Sequence, residues 1–162
     1  PVMVAKGGAS LLAAEAVEAL TRRLLPLAAV LTPNLPEAAA LLGEAEAADR
    51  VAMERQAKRL VALGPKAVLL KGGHLPGGES PDVLATPDRL RWYEGVRVLT
   101  RNTHGTGCSL SSAIAAELGK GRPLPDAVAA AKSFIAGTVR SSDALSVGSG
   151  HGPLHHFHAL WA

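Results

Sequence analysis

A chain of 162 residues, 48% of them hydrophobic and 19% charged, has enough apolar surface to bury roughly two thirds of its unfolded area, which excludes intrinsic disorder and suits one domain. Lysine and arginine outnumber aspartate and glutamate by 17 to 14, but the basic residues are scattered and never interleave with aromatics, which argues against a nucleic-acid partner. The single cysteine excludes an internal disulfide and suits a reducing, cytoplasmic setting, no apolar run reaches membrane-spanning length, and the opening residues carry no secretory pattern.

In chain order, Val2-Met3-Val4-Ala5 reads as a short buried strand broken by Lys6-Gly7-Gly8. Ala13, Val17, Leu20 and Leu24 recur at helical spacing until Pro26. Ala28 to Leu31 reads as a second buried strand, running into Thr32-Pro33-Asn34-Leu35-Pro36-Glu37. There Asn34 suits an N-cap, Pro36 an early helical position and Glu37 the third position of a capping box, with the helix ending at Gly43. Both polar side chains also fall at the C-terminal end of a strand, where open α/β sheets bind ligands, so a capping role and a binding role both remain open.

Met53, Ala57, Leu60 and Val61 mark another helix, and Ala67 to Leu70 a third strand, followed at once by Lys71-Gly72-Gly73-His74. That cluster suits phosphate contact or a solvated turn equally. Pro76 to Pro87 reads as loop, and Arg89 to Val98 as an edge hairpin turning near Glu94-Gly95. Two helices follow, one after Cys108 and one opening at Pro123 to Asp126. The tail carries His151, His155, His156 and His158 among glycines; lacking a recognised ligand spacing, it is expected to be packed or solvated rather than a metal site.

Between the edge strand and the first of those helices lies Asn102-Thr103-His104-Gly105-Thr106-Gly107-Cys108. Glycines permit close backbone approach to a ligand, and a first helical turn offers unpaired N–H groups at the positive end of the helix dipole, so the junction suits an anion such as phosphate. A thiol at a helix N-terminus has its thiolate favoured, so Cys108 suits a base or nucleophile; a buried, inert cysteine is the alternative. The order of elements implies an α/β fold with a parallel-rich sheet and helices on both faces, whose strand ends carry Asn34, Glu37, Lys71 and the glycine loop to one rim. An anion hole, a carboxylate for Mg²⁺ and a cation together suit phosphoryl transfer.

Four segments then resemble, in order, the hydroxymethylpyrimidine/phosphomethylpyrimidine kinases of the ribokinase-like superfamily: Thr32 to Ala38, Val68 to His74, Asn102 to Cys108 and Gly152 to His158. The cysteine at position 108 is what separates this branch from the aspartate-bearing sugar and pyridoxal kinases. The resemblance implies a thiamine-biosynthesis kinase using ATP and Mg²⁺ on hydroxymethylpyrimidine and its phosphate. It implies an anion hole at Gly105, Thr106 and Gly107, a catalytic base at Cys108, and nucleotide contacts from Lys71, Asn34 and Gly73. It further implies a Mg²⁺-organising role for Glu37, acting through water, and a place for Val2 in the pyrimidine pocket.

The whole chain, residues 1–162, thus resembles the C-terminal, nucleotide-side portion of a single ribokinase-like domain, with the N-terminal half of the family unmatched. Such a portion is expected to expose a sheet edge and to associate, for instance as a homo-oligomer. Alternatives are a non-catalytic nucleotide-binding module, a pyridoxal-type vitamin kinase, and a cysteine hydrolase pairing Cys108 with His104.

Overall fold

The computed structural model describes residues 1–3 and 11–161, which form two compact units, Pro1–Arg97 and Val98–Ala162. Of the expected first strand, Val4 and Ala5 lie outside the described residues, and Met3 is buried. Among the described residues no helix is long and apolar enough to cross a membrane.

In the first unit, helix α1 (Ala14–Ala19) widens into a π-helical turn over Leu20–Leu24 and closes in a 3₁₀ turn over Leu25–Leu27. Pro26 cannot donate the next helical hydrogen bond and ends it. The segment expected as a strand from Ala28 to Leu31 forms no regular strand: it runs on alongside the strand β1 (Val68–Lys71) and meets it through the isolated parallel bridges Leu31 to Val68 and Asn34 to Lys71, with Pro33 offering no N–H between them. Leu31 N–H donates to Ala67 O at 2.9 Å, Leu69 N–H to Leu31 O at 2.8 Å, and Lys71 N–H to Pro33 O at 2.9 Å. Helix α2 (Leu35–Leu42) follows directly and stops at Gly43, whose φ of +64° is cheap only for glycine. Helix α3 (Arg50–Val61) starts at Asp49, whose carboxylate accepts the Ala52 N–H at 2.7 Å.

The sheet continues from β1 through β2 (Asp82–Ala85) to β3 (Leu90–Tyr93), both pairings antiparallel, with Leu70 opposite Val83 and Leu84 opposite Arg91. The stretch Pro76 to Pro87 is not all loop, because β2 lies within it, every residue buried. The hairpin turns at Thr86–Arg89, not at Glu94–Gly95; Thr86 N–H donates to Arg89 O at 2.9 Å, and Pro87 presets the bend. Glu94 and Gly95 instead follow β3, and Gly95 O takes the Ser80 N–H at 2.8 Å. The sheet expected to be rich in parallel pairs is, among the described residues, antiparallel at both strand pairings, and its parallel contacts are the isolated bridges Leu31 to Val68 and Asn34 to Lys71. Leu25, Leu35, Met53, Leu60, Leu70 and Val83 pack together beneath the sheet, each all but excluded from water, and each such side chain contributes about 1.5–3 kcal/mol by burial.

In the second unit, α4 (Thr106–Gly119) packs on α5 (Leu124–Arg140) through Leu110 and Ile114 on one side and Val128, Ala131 and Ile135 on the other. The histidine tail packs against this pair. His155 is buried and its N–H donates to Thr138 O at 3.2 Å. His158 lies over Gly137, where a Cβ would meet its ring.

Candidate functional site

The first group of site residues sits at the start of α4. Gly105 is the N-cap, with φ +82°, a left-handed conformation that L side chains rarely adopt. The first intrahelical bond runs from Ser109 N–H to Gly105 O, 2.8 Å. Thr106, Gly107 and Cys108 therefore make up the opening turn, whose N–H groups precede the helical ladder. Thr106 Oγ1 donates to Thr103 O at 2.7 Å, which fixes the loop ahead of the turn. Cys108 is a free thiol and exposed, so the buried, inert alternative does not describe it.

Behind the loop, Asn102 Nδ2 donates to Ser142 O at 2.8 Å and to Leu145 O at 3.2 Å. Gly152 backs onto the Asn102 side chain with no room for a Cβ, and its carbonyl accepts the His104 N–H at 3.1 Å. The tail thus braces the glycine loop through two segments. A contact that sequence reasoning missed completes this end: Ser109 Oγ and His156 Nε2 stand 2.7 Å apart, 47 positions apart in sequence.

The second group lies at the end of β1. Asn34 and Lys71 are neighbours in a parallel bridge, so the N-terminus of α2 and the last residue of β1 share one end of the first unit. Asn34 Oδ1 accepts the Glu37 N–H at 2.8 Å, and Glu37 Oε2 accepts the Asn34 N–H at 2.9 Å, a complete capping box. Glu37 Oε1 accepts the Met3 N–H at 3.2 Å, and the residue is only 4% exposed. The capping role is thus present in full, and both carboxylate oxygens are engaged.

Two glycines follow Lys71. A Cβ at Gly72 would collide with Pro81 O, while one at Gly73 would lie 3.4 Å from Ser80 Oγ, ordinary contact. His74, though exposed overall, has a partly desolvated ring; burial first, then the positive charges of Lys71 and Arg97, hold its imidazole below the ordinary 6.5 against the opposing pull of Glu46 and Glu37. Val2 is 57% exposed and carries φ +55°, an uncommon conformation for a β-branched residue. Asn34, Glu37, Lys71 and Gly73 are therefore gathered in the first unit, and Gly105, Thr106, Gly107 and Cys108 in the second.

The second residue that sequence reasoning missed is Asp82. It is 6% exposed and accepts the Gly72 N–H at 3.0 Å. Its only sequence signal is its place before Val83-Leu84-Ala85, a run too short and too glycine- and proline-flanked to announce a strand.

Solved structures similar to this chain include a pyridoxal kinase and a phosphomethylpyrimidine kinase. The chain is similar to a pyridoxal kinase from Staphylococcus aureus solved in complex with ADP, with a TM-score of 0.89 and 30% identity over 99% of this chain and 57% of that one. It is also similar to a phosphomethylpyrimidine kinase from Clostridium difficile 630, with a TM-score of 0.71 and 39% identity over 83% of this chain and 53% of that one. The fold is α/β and ribokinase-like. The family model described as phosphomethylpyrimidine kinase matches residues 1–155, and the chain belongs to that family. Among curated relatives, the hydroxymethylpyrimidine/phosphomethylpyrimidine kinase of Rhizobium meliloti (strain 1021) is 52% identical over 161 residues, 99% of this chain. The chain spans 60% of that relative's length.

Proposed function

We propose that this chain is the nucleotide-side portion of a kinase that transfers phosphate from ATP to hydroxymethylpyrimidine and its monophosphate, as a cytoplasmic step of thiamine biosynthesis. The observation that carries the reading is the opening turn of α4, where a left-handed glycine cap precedes backbone N–H groups and an exposed cysteine. Family membership and the 52% identical relative's name agree with it.

Phosphoryl transfer demands positioning and charge neutralisation more than covalent chemistry. Gly105, Thr106 and Gly107 hold the transferring group on main-chain N–H groups, and any side chain at 105 would strain the cap that aims them. Cys108 takes the proton from the substrate hydroxyl. Lys71 offsets the charge of the nucleotide phosphates, flanked by Asn34 and by Gly73, whose lack of a side chain leaves the approach open. Val2 contributes to the pyrimidine pocket.

The residues fit Mg²⁺ in one particular way. Both Glu37 oxygens already accept backbone N–H groups, and among the described residues no three His, Cys, Asp or Glu side chains gather as a metal cage. That suits a cation that keeps its water and takes phosphate oxygens as ligands, and Mg²⁺ so bound supplies charge neutralisation on the nucleotide. Glu37, fixed by its capping box with Asn34, would act on such an ion through water.

The test is phosphorylation of hydroxymethylpyrimidine with ATP and Mg²⁺, with pyridoxal assayed in parallel. Pyridoxal is the second reading because the Staphylococcus aureus pyridoxal kinase matches at a TM-score of 0.89. Preferred turnover of hydroxymethylpyrimidine supports the proposal; preferred turnover of pyridoxal replaces it with the second reading; hydrolysis of esters without ATP would remove both.

A further inference from the structure

We propose that Asp82 is a positioning residue for Lys71, fixing the end of β1 so that the lysine ammonium meets nucleotide phosphate; the inference rests on the phosphate role of Lys71 argued above. Asp82 opens β2 directly opposite Lys71, the last residue of β1. The Gly72 N–H donates to Pro81 O at 2.9 Å, a single bond because proline has no N–H to return, and this sets Gly72 and Pro81 at a hydrogen-bonded position of the ladder. The adjoining pair, Lys71 and Asp82, is then the non-hydrogen-bonded kind, in which opposed side chains stand closest and opposite charges favour each other.

The same Gly72 N–H also reaches Asp82 Oδ1 at 3.0 Å. Gly72 itself admits no side chain: a Cβ there would strike Pro81 O and lie 3.1 Å from the Met53 methyl carbon. The backbone immediately after Lys71 is thus held by the β2 strand and by the core beneath it. A carboxylate as buried as Asp82, 6% exposed, is retained at a cost in desolvation and suits a site where it anchors something. Here it anchors the amide after the lysine and stands directly across the ladder from the lysine itself.

The experiment is a double-mutant cycle on ATP affinity, read by calorimetry on this chain, with wild type, Asp82→Asn, Lys71→Met and the double variant, and with thermal melts alongside. Asp82→Asn keeps an oxygen for the Gly72 N–H and removes the charge. The expected result is about a tenfold weaker ATP Kd for Asp82→Asn, a larger loss for Lys71→Met, and no further loss in the double variant, as for two residues that act as one unit. Additive losses, or an unchanged Kd for Asp82→Asn, would overturn the positioning role while leaving the phosphate role of Lys71 intact. An unchanged Kd for Lys71→Met would overturn the lysine's role and this inference with it, and absence of ATP binding by the wild type would overturn the functional reading as well. Should Asp82→Asn fail to fold, Asp82→Glu carries the same cycle, since it keeps the charge and shifts its reach; strict additivity with Lys71→Met again overturns the role.

Discussion

Two residues of the site divide stability from chemistry in ways that single substitutions can read. Glu37 is a structural acceptor for two main-chain N–H groups, those of Asn34 and Met3, in a nearly water-free position. Glu37→Ala strands both donors and removes the capping box, so the chain should lose about 1–3 kcal/mol in chemical denaturation. Glu37→Gln keeps an oxygen acceptor and should lose less. Cys108 is the reverse case: it is exposed, and packing gains little from it. Cys108→Ala should leave the denaturation midpoint and the ATP Kd nearly unchanged while cutting turnover by about 10²–10⁴, the usual contribution of a positioned general base. Steady-state kinetics beside calorimetry separates the two effects, and an unaltered rate would strip Cys108 of the base role. His74 adds a pH dependence. Its imidazole is held below 6.5, chiefly by burial, so the folded chain binds fewer protons there than the unfolded chain does. The stability tied to it is complete above 6.5 and is lost as pH falls below that value. His74→Gln should therefore flatten the acid side of the stability profile, measured as denaturation midpoints across that range; an unchanged profile would show that other groups govern it.

At the scale of elements, the devices legible in the sequence are those whose partners are close along the chain. The Asn34–Glu37 capping box spans four residues, and the glycine cap of α4 is adjacent to the turn it starts, so residue type and spacing sufficed for both. What the sequence concealed depends on partners brought from afar. β2 is four residues long and ringed by Pro81, Pro87 and the glycines at 77 and 78; it is a strand because β1 and β3 pair with it on either side, not because Asp-Val-Leu-Ala has strong strand propensity. Glu94-Gly95 has the composition of a hairpin turn, yet the real turn falls where Pro87 sits and Thr86 pairs with Arg89. Asp82 and the Ser109–His156 contact escaped for the same reason, their partners lying 10 and 47 positions away. The α4 cap yields its own prediction. At Gly105 a Cβ would have space, its nearest neighbour being Ser109 Oγ at 4.0 Å, but φ is +82°. Gly105→Ala should thus fold with a penalty of about 1–3 kcal/mol from backbone strain and a larger proportional loss of turnover than of stability. A melting shift with normal turnover would mean that the cap shapes the helix but aims no N–H group at phosphate.

For the whole molecule, the proposed roles are unevenly shared. Seven of the residues assigned above, Asn34, Lys71, Gly73, Gly105, Thr106, Gly107 and Cys108, serve nucleotide, phosphoryl group or proton, whereas the pyrimidine side draws only Val2. The Rhizobium meliloti relative is matched over 60% of its length, which leaves 40% of that protein with no counterpart in this match. If substrate recognition in the family depends on that remainder, the chain should bind ATP yet phosphorylate hydroxymethylpyrimidine poorly, and joining it to the relative's unmatched segment should raise turnover without tightening ATP binding. Assaying the 162-residue chain and the joined protein side by side, with ATP Kd and turnover measured on each, tests this. Turnover confined to the joined protein would place substrate recognition outside this chain and leave the nucleotide assignments standing. Equal turnover by both would mean that these 162 residues carry a complete pyrimidine pocket, and the search for its walls would move to side chains near Val2.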